Sequence, residues 1–258
     1  MTRFPFYRKN DALPASHHSV DLFSVGKEDP LFNEKIKGLR AMVEQKADLQ
    51  QMRLLGITSS IAGEGKTTIC GQLGRSLAST GRKKVLLVDV DVRKADLTHR
   101  MGARRTPGLT EFLLGGATLQ QIVHATQVPN LFLITSGTEV NSPADLLSGD
   151  KFKAFLREIR GSHDMILLDT PPLLPVADTP TIRDQTDGFL LVYRVGSTPY
   201  TMLRQAMEEL GEKNVLGAVL NGVEVASDSY YQKYYGAYYH RDVKAVIDSA
   251  KTREAVRS

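Results

Sequence analysis

The chain has 258 residues, with 33 Lys+Arg against 29 Asp+Glu, 41% hydrophobic residues and 24% charged ones. This suffices for one α/β domain or two small domains, and the ordinary apolar–charged mix excludes wholesale disorder. A net charge of +4 without a run of five like charges is too weak for a nucleic-acid partner. The single cysteine, Cys70, excludes a disulfide framework or a Cys-rich zinc site and fits a reducing compartment. The longest apolar stretches, such as Val85–Val88, fall far short of the roughly 18 residues of a membrane span. Met1–Asn10 lacks the apolar segment of a signal peptide, so a soluble, cytoplasmic protein is expected.

Residues 1–30 are polar, carry Pro5, Pro14 and Pro30, and show no periodicity, which predicts a flexible arm. From 31 to 50 apolar residues recur at helical steps (Leu31, Phe32, Ile36, Leu39, Met42, Val43). Strands are then expected at Leu54–Ser59, Lys84–Asp89, Leu131–Thr135, Met165–Asp169, Gly188–Arg194 and Val215–Leu220. Helices are expected at Lys66–Thr80, Gly108–Leu114, Leu119–Ala125, Pro143–Leu147, Lys151–Arg160, Pro180–Gln185 and Thr201–Gly211. Short, almost wholly apolar strands suit a sheet buried on both faces. The expected fold is therefore α/β, a doubly wound, mostly parallel sheet with helices on both faces, over about residues 50–225. An arm (1–30) precedes the domain (31–225, with its first helix), and a tyrosine-rich tail (226–258) follows it.

The sharpest local signal is Ser60-Ile61-Ala62-Gly63-Glu64-Gly65-Lys66-Thr67, between a strand and a helix. Glycines at 63 and 65 let consecutive backbone N–H groups converge on a phosphate at a helix N-terminus. Lys66, taken to face solvent, would reach the β- and γ-phosphates, and the Thr67 hydroxyl would bind Mg²⁺. The strict pattern has glycine where this chain has Ser60. Asp89 and Asp169 close apolar strands and Asp91 follows the first. Acids at the C-terminal ends of parallel strands sit where ligands bind and can support Mg²⁺, usually through water. A strand-terminal Asp that merely caps the next helix is the plainer alternative.

Tyr230, Tyr231, Tyr234, Tyr235, Tyr238 and Tyr239 fall within ten residues, where average usage in this chain would put about 0.35. They read either as an aromatic docking or base-stacking surface or as a segment offering phenol hydroxyls to a phosphoryl donor.

With these elements in order, the sequence resembles the bacterial tyrosine kinases (BY-kinases) that regulate capsule and exopolysaccharide export, P-loop NTPases of the deviant Walker A type. The resemblance rests on Ala62–Thr68, Val88-Asp89-Val90-Asp91-Val92-Arg93-Lys94, Leu168-Asp169-Thr170-Pro171-Pro172, Asp178, Val192–Gly196, Gly217–Asn221 and the tyrosine cluster. It implies a kinase using ATP and Mg²⁺ that phosphorylates its own tail tyrosines between subunits of a homo-oligomeric ring. It also implies a separate membrane chain-length regulator as activator, recruitment to the inner face of the plasma membrane, and an opposing tyrosine phosphatase. Carried over residue by residue, Ala62, Gly63, Glu64, Gly65, Lys66, Thr67 and Thr68 cradle the nucleotide. Asp89 receives the tyrosine proton, Thr67, Asp91 and Asp169 serve the metal, and Asn221 touches the base. Glu34, Lys37 and Arg40 match the ring-forming motif, with Lys37 in place of an arginine; lysine keeps the charge but not the two-pronged contact. Ala95 replaces a frequent proline, with little consequence expected. The rival readings are a partition or division-site ATPase, which usually carries a lysine where this chain has Ala62, and a non-catalytic nucleotide-binding scaffold.

Overall fold

The computed structural model describes Leu22, residues 29–174 and residues 182–223. Asp178 and the six tail tyrosines lie outside the described residues. Helix α1 (Pro30–Gln50) starts at Asp29, whose Oδ1 accepts from the Leu31 and Phe32 amides at 2.9 and 3.1 Å, with Pro30 in the first turn. Then follow β1 (Leu54–Ser59), α2 (Lys66–Ala78), β2 (Val85–Asp89), α3 (Asp96–Arg100), α4 (Leu109–Leu114), α5 (Leu119–Ile122), β3 (Val123–Ala125) and β4 (Leu131–Ile134). The chain continues through α6 (Pro143–Ser148), α7 (Asp150–Arg160), β5 (Met165–Asp169), β6 (Gly188–Arg194), α8 (Tyr200–Leu210) and β7 (Val215–Asn221).

The strands form one sheet in the order β3-β4-β2-β5-β1-β6-β7, parallel except for β3. Alternation along each strand sends side chains to opposite faces. Leu86, Val88, Ile166, Leu168, Phe189 and Leu191 enter one core with Phe152, Phe155, Leu156 and Ile159 of α7 and Leu210 of α8. Val85, Leu87, Leu167, Leu190 and Val192 enter the other with Val43 of α1 and Leu73 and Leu77 of α2. The doubly wound, mostly parallel α/β expectation is thus met. Gly56 is required because a Cβ there would run into the ring of Phe189, its register partner on β6.

One expectation is corrected and two are supplemented. The helix expected over Leu119–Ala125 ends at Ile122, because Val123–Ala125 pairs antiparallel with the outer edge of β4. A connection through Asn130, at φ 63°, returns the chain for that pairing. Residues 96–100, to which the sequence reading assigns no element, form α3. Within the stretch expected as a flexible arm, Leu22 is fully buried in the α1–α2 core, and Gln72 Nε2 donates to its carbonyl at 2.9 Å. Among the described residues no helix is long and apolar enough to cross a membrane.

Asp187, just before β6, ties three elements together. Its Oδ2 accepts from the Arg53 and Leu54 amides at 2.8 and 2.9 Å, and its Oδ1 from Arg160 at the end of α7. Burial alone would raise its pKa, but these donors hold the carboxyl below its ordinary value. Asp187→Ala should therefore cost about 1–3 kcal/mol at pH 7 by leaving two amides short of an acceptor. Because the folded pKa is depressed, that contribution is present above about pH 4 and is lost as pH falls through the folded value. Denaturant melts of both chains at pH 7 and pH 3 should show the gap narrow at acid pH.

Candidate functional site

The strands β2, β5 and β1 lie side by side, so everything at their C-terminal ends meets in one crevice. The loop after β1 turns on Gly63 and Gly65, at φ 86° and 97°, in the left-handed region open to glycine. Gly65 directly precedes α2, so the loop's N–H groups and the positive end of a 13-residue helix face the same point. Position 60 is not among the positive-φ residues, so Ser60 satisfies the backbone where the strict motif has glycine.

Lys66 is 7% exposed rather than solvent-facing, which corrects the expectation. Its Nζ lies 3.4 Å from Asp91 Oδ2, 3.5 Å from Asp169 Oδ1 and 3.2 Å from the Thr67 hydroxyl. Burial alone would lower its pKa; Asp169, Asp91 and Asp89 outweigh it and hold the ammonium well above its usual value. Asp89 and Asp169 are register partners on β2 and β5, and both are fully buried. Burial first, then the Asp169 carboxylate, pushes Asp89 up to about 8, against hydrogen bonds from Thr98. Burial also raises Asp169, with Lys66 pulling it back. Asp89 Oδ1, Asp91 Oδ2 and Asp169 Oδ2 are buried without a hydrogen-bond partner.

Other expected site residues hold the loop in shape. Glu64, 2% exposed, turns its carboxylate into the protein: Oε2 accepts from the Ile61 amide at 2.8 Å, and Oε1 from the Thr198 hydroxyl and the Arg194 amide. The side-chain amide of Asn221, expected at a base, donates to the Glu64 carbonyl at 2.8 Å and fills the space beside Gly65. Thr68 Oγ1 accepts from Arg100 of α3 at 2.5 Å. Ala62 is exposed on the loop. The three ring-motif residues are not alike. Lys37 pairs with Glu34 on the exposed face of α1, whereas Arg40 donates to the Ser76 carbonyl of α2 at 3.2 Å.

Sequence reasoning missed Thr98, Arg100, Arg105 and Thr198. Thr98 donates to Asp89 Oδ2 through its amide (2.8 Å) and its hydroxyl (2.6 Å). Arg105 fastens the segment after Asp91 by donating to the Val92 and Gly137 carbonyls. For Thr98 and Arg100 the one available signal was polar residues just past the Asp89–Lys94 motif. Ala95 adopts φ 53°, a value closed to proline, so the departure at this position matches its backbone.

Removing Lys66 leaves Asp91 and Asp169 buried without their cation. Lys66→Met should lower stability at pH 7 by about 3 kcal/mol, besides abolishing phosphate binding. Thermal melts without nucleotide, beside nucleotide titrations, check this; an unchanged melt would mean the pairs contribute nothing.

Known proteins resemble this chain in sequence and in fold. A family model described as an AAA domain matches residues 52–186. The tyrosine-protein kinase YwqD of Bacillus subtilis is 36% identical over 208 residues, 80% of this chain and 87% of that protein. The putative tyrosine-protein kinase EpsB of Ralstonia solanacearum is 32% identical over 214 residues, and the chain spans only 28% of its length. The kinase domain of Escherichia coli tyrosine kinase ETK superposes with a TM-score of 0.73 at 26% identity, over 89% of this chain and 88% of that one. With a P-loop, two acid-terminated strands beside it and a relative matched over most of both lengths, the chain belongs to the bacterial tyrosine-protein kinase family.

Proposed function

We propose that the chain transfers the γ-phosphoryl group of ATP to tyrosines 230, 231, 234, 235, 238 and 239 of a neighbouring copy, and thereby controls exopolysaccharide or capsule assembly. The observation that carries this is the crevice: a phosphate loop, one buried ammonium and three buried carboxylates each with an oxygen that accepts no hydrogen bond, in a chain whose tail concentrates tyrosines. The backbone N–H groups of 63–65 and Lys66 hold the phosphates. Asp89 receives the phenol proton. The phenol oxygen then bonds to the γ-phosphorus as the bond to the β–γ bridging oxygen breaks, its electron pair leaving on ADP.

The residues present fit Mg²⁺ in a mixed shell. Asp169 Oδ2 is buried without a hydrogen bond and Asp91 Oδ2 is held only by its ion pair with Lys66, near the Thr67 hydroxyl; these are the hard oxygen donors this ion takes, often through water. No group of three or more His, Cys, Asp or Glu among the described residues forms an all-protein cage, as expected where phosphate oxygens and water complete the coordination. The ion's chemistry is charge neutralisation of the β- and γ-phosphates.

The same reading includes a homo-oligomer using Glu34 and Lys37 on the exposed face of α1, a separate membrane regulator that recruits the chain to the inner face of the plasma membrane, and a tyrosine phosphatase that reverses the reaction. Arg40, engaged with α2, is a smaller part of that contact than the motif suggests.

Labelled ATP with a phosphotyrosine blot separates the possibilities: a partition-type ATPase releases phosphate without labelling itself, and a scaffold does neither. Mixing a Lys66→Met chain with a chain whose six tail tyrosines are Phe should place label on the Lys66→Met chain alone; if neither is labelled although both fold, transfer stays within one subunit. Asp89→Asn should slow transfer about 100-fold or more with little change in ATP affinity. Loss of nucleotide affinity first would make Asp89 a metal residue instead.

A further inference from the structure

Asp89 is held asymmetrically. Its two carboxylate oxygens are chemically equivalent, yet one accepts two hydrogen bonds and the other none. Oδ2 accepts from the Thr98 amide at 2.8 Å and the Thr98 hydroxyl at 2.6 Å. Oδ1 is buried and has no hydrogen-bond partner. The hydroxyl has its own director. The Ser136 amide, just past β4, donates to Thr98 Oγ1 at 3.1 Å. With that lone pair engaged, the Thr98 proton turns toward Asp89. Thr98 is fully buried, so water does not compete for the hydroxyl. The supporting helix is anchored at both ends. The Ala95 amide donates to the Asp91 carbonyl at 2.7 Å, and Arg100 donates to Thr68 at the start of α2.

We infer that Thr98 is a positioning residue for the transfer reaction: it fastens Oδ2 and so presents Oδ1 as the single oxygen that takes the phenol proton. This rests on the kinase reading above. Without the hydroxyl, Oδ2 keeps only the amide, and the carboxylate is free to rotate and offer either oxygen at a poorer angle. Proton transfer is steeply sensitive to such misplacement, whereas phosphate binding by 63–66 is not touched. A purely structural threonine would give a different result, because its loss would soften the whole crevice and weaken nucleotide binding together with turnover.

The test uses the full chain with ATP and Mg²⁺. Thr98→Val keeps shape and removes the hydroxyl; Thr98→Ser keeps the hydroxyl. The rate of tyrosine labelling at saturating ATP should fall about tenfold to a hundredfold in Thr98→Val. The ATP concentration for half-maximal rate and the affinity for a fluorescent ADP should stay within about twofold of wild type, and Thr98→Ser should recover most of the rate. If Thr98→Val does not fold, Thr98→Ala, which adds no bulk, carries the same comparison. An unchanged saturated rate overturns the inference. So does a loss seen as weaker nucleotide affinity, or a Thr98→Ser chain as slow as Thr98→Val with a normal melt. A wild-type chain that never labels tyrosine removes the kinase reading itself, while a labelling wild type with an unaffected Thr98→Val removes only the role of Thr98.

Discussion

One ammonium facing buried carboxylates sets the terms for the rest of this molecule. Lys66 stands within 3.5 Å of both Asp91 and Asp169, with Asp89 beside them, in a crevice closed to solvent. At an effective dielectric near 20, each such pair gains on the order of 5 kcal/mol. Desolvating each charge costs several kcal/mol in return. For Lys66 the attraction outweighs the cost, so it stays firmly charged between its acids. In the function proposed above, an incoming phosphate would compete for this ammonium, and a divalent cation would take over the acids it releases. A lysine far from any carboxylate would bind phosphate but would leave three buried acids uncompensated in its absence.

The sheet supplies the rigidity this balance needs. Adjacent placement of β2, β5 and β1 brings the acids and the loop together with no long-range adjustment. The loop itself is braced from outside those three strands. Glu64 accepts from Arg194, the last residue of β6, and from Thr198 just past it, and Asn221 at the end of β7 donates to the Glu64 backbone. The phosphate cradle is thus fixed from the sheet's far side as well as by its own glycines. A residue inside the motif can therefore matter by holding the loop, as Glu64 does, without facing the ligand.

What could be read from the sequence was local. Strand runs such as Val85–Val88, the Gly63–Thr67 loop and the strand-terminal acids announce themselves within a few residues, and the structure places them as the pattern implies. What could not be read depends on partners distant in the chain. Val123–Ala125 is a strand because β4 offers it an open edge, not because three residues show a period. The helix carrying Thr98 is five residues long, too short for a hydrophobic repeat to emerge. Glu64 looks like one more loop residue until Arg194 and Thr198 come within reach of its carboxylate. Lys66 looks exposed because glycine-rich loops usually are, and only the neighbouring strands reveal it as nearly enclosed.

Leu22 illustrates how such a distant dependence constrains change. It fits against α2 because Gly71 has no side chain; a Cβ there would overlap the Leu22 side chain. Neither residue is tolerant alone. Alanine at 71 forces the leucine side chain to shift, and a smaller residue at 22 leaves a void on the helix that opens from the phosphate loop. The two positions, 49 residues apart in the chain, behave as one unit of substitution. Homologous chains that lose the glycine should be those that have also exchanged the leucine or released that segment from the helix.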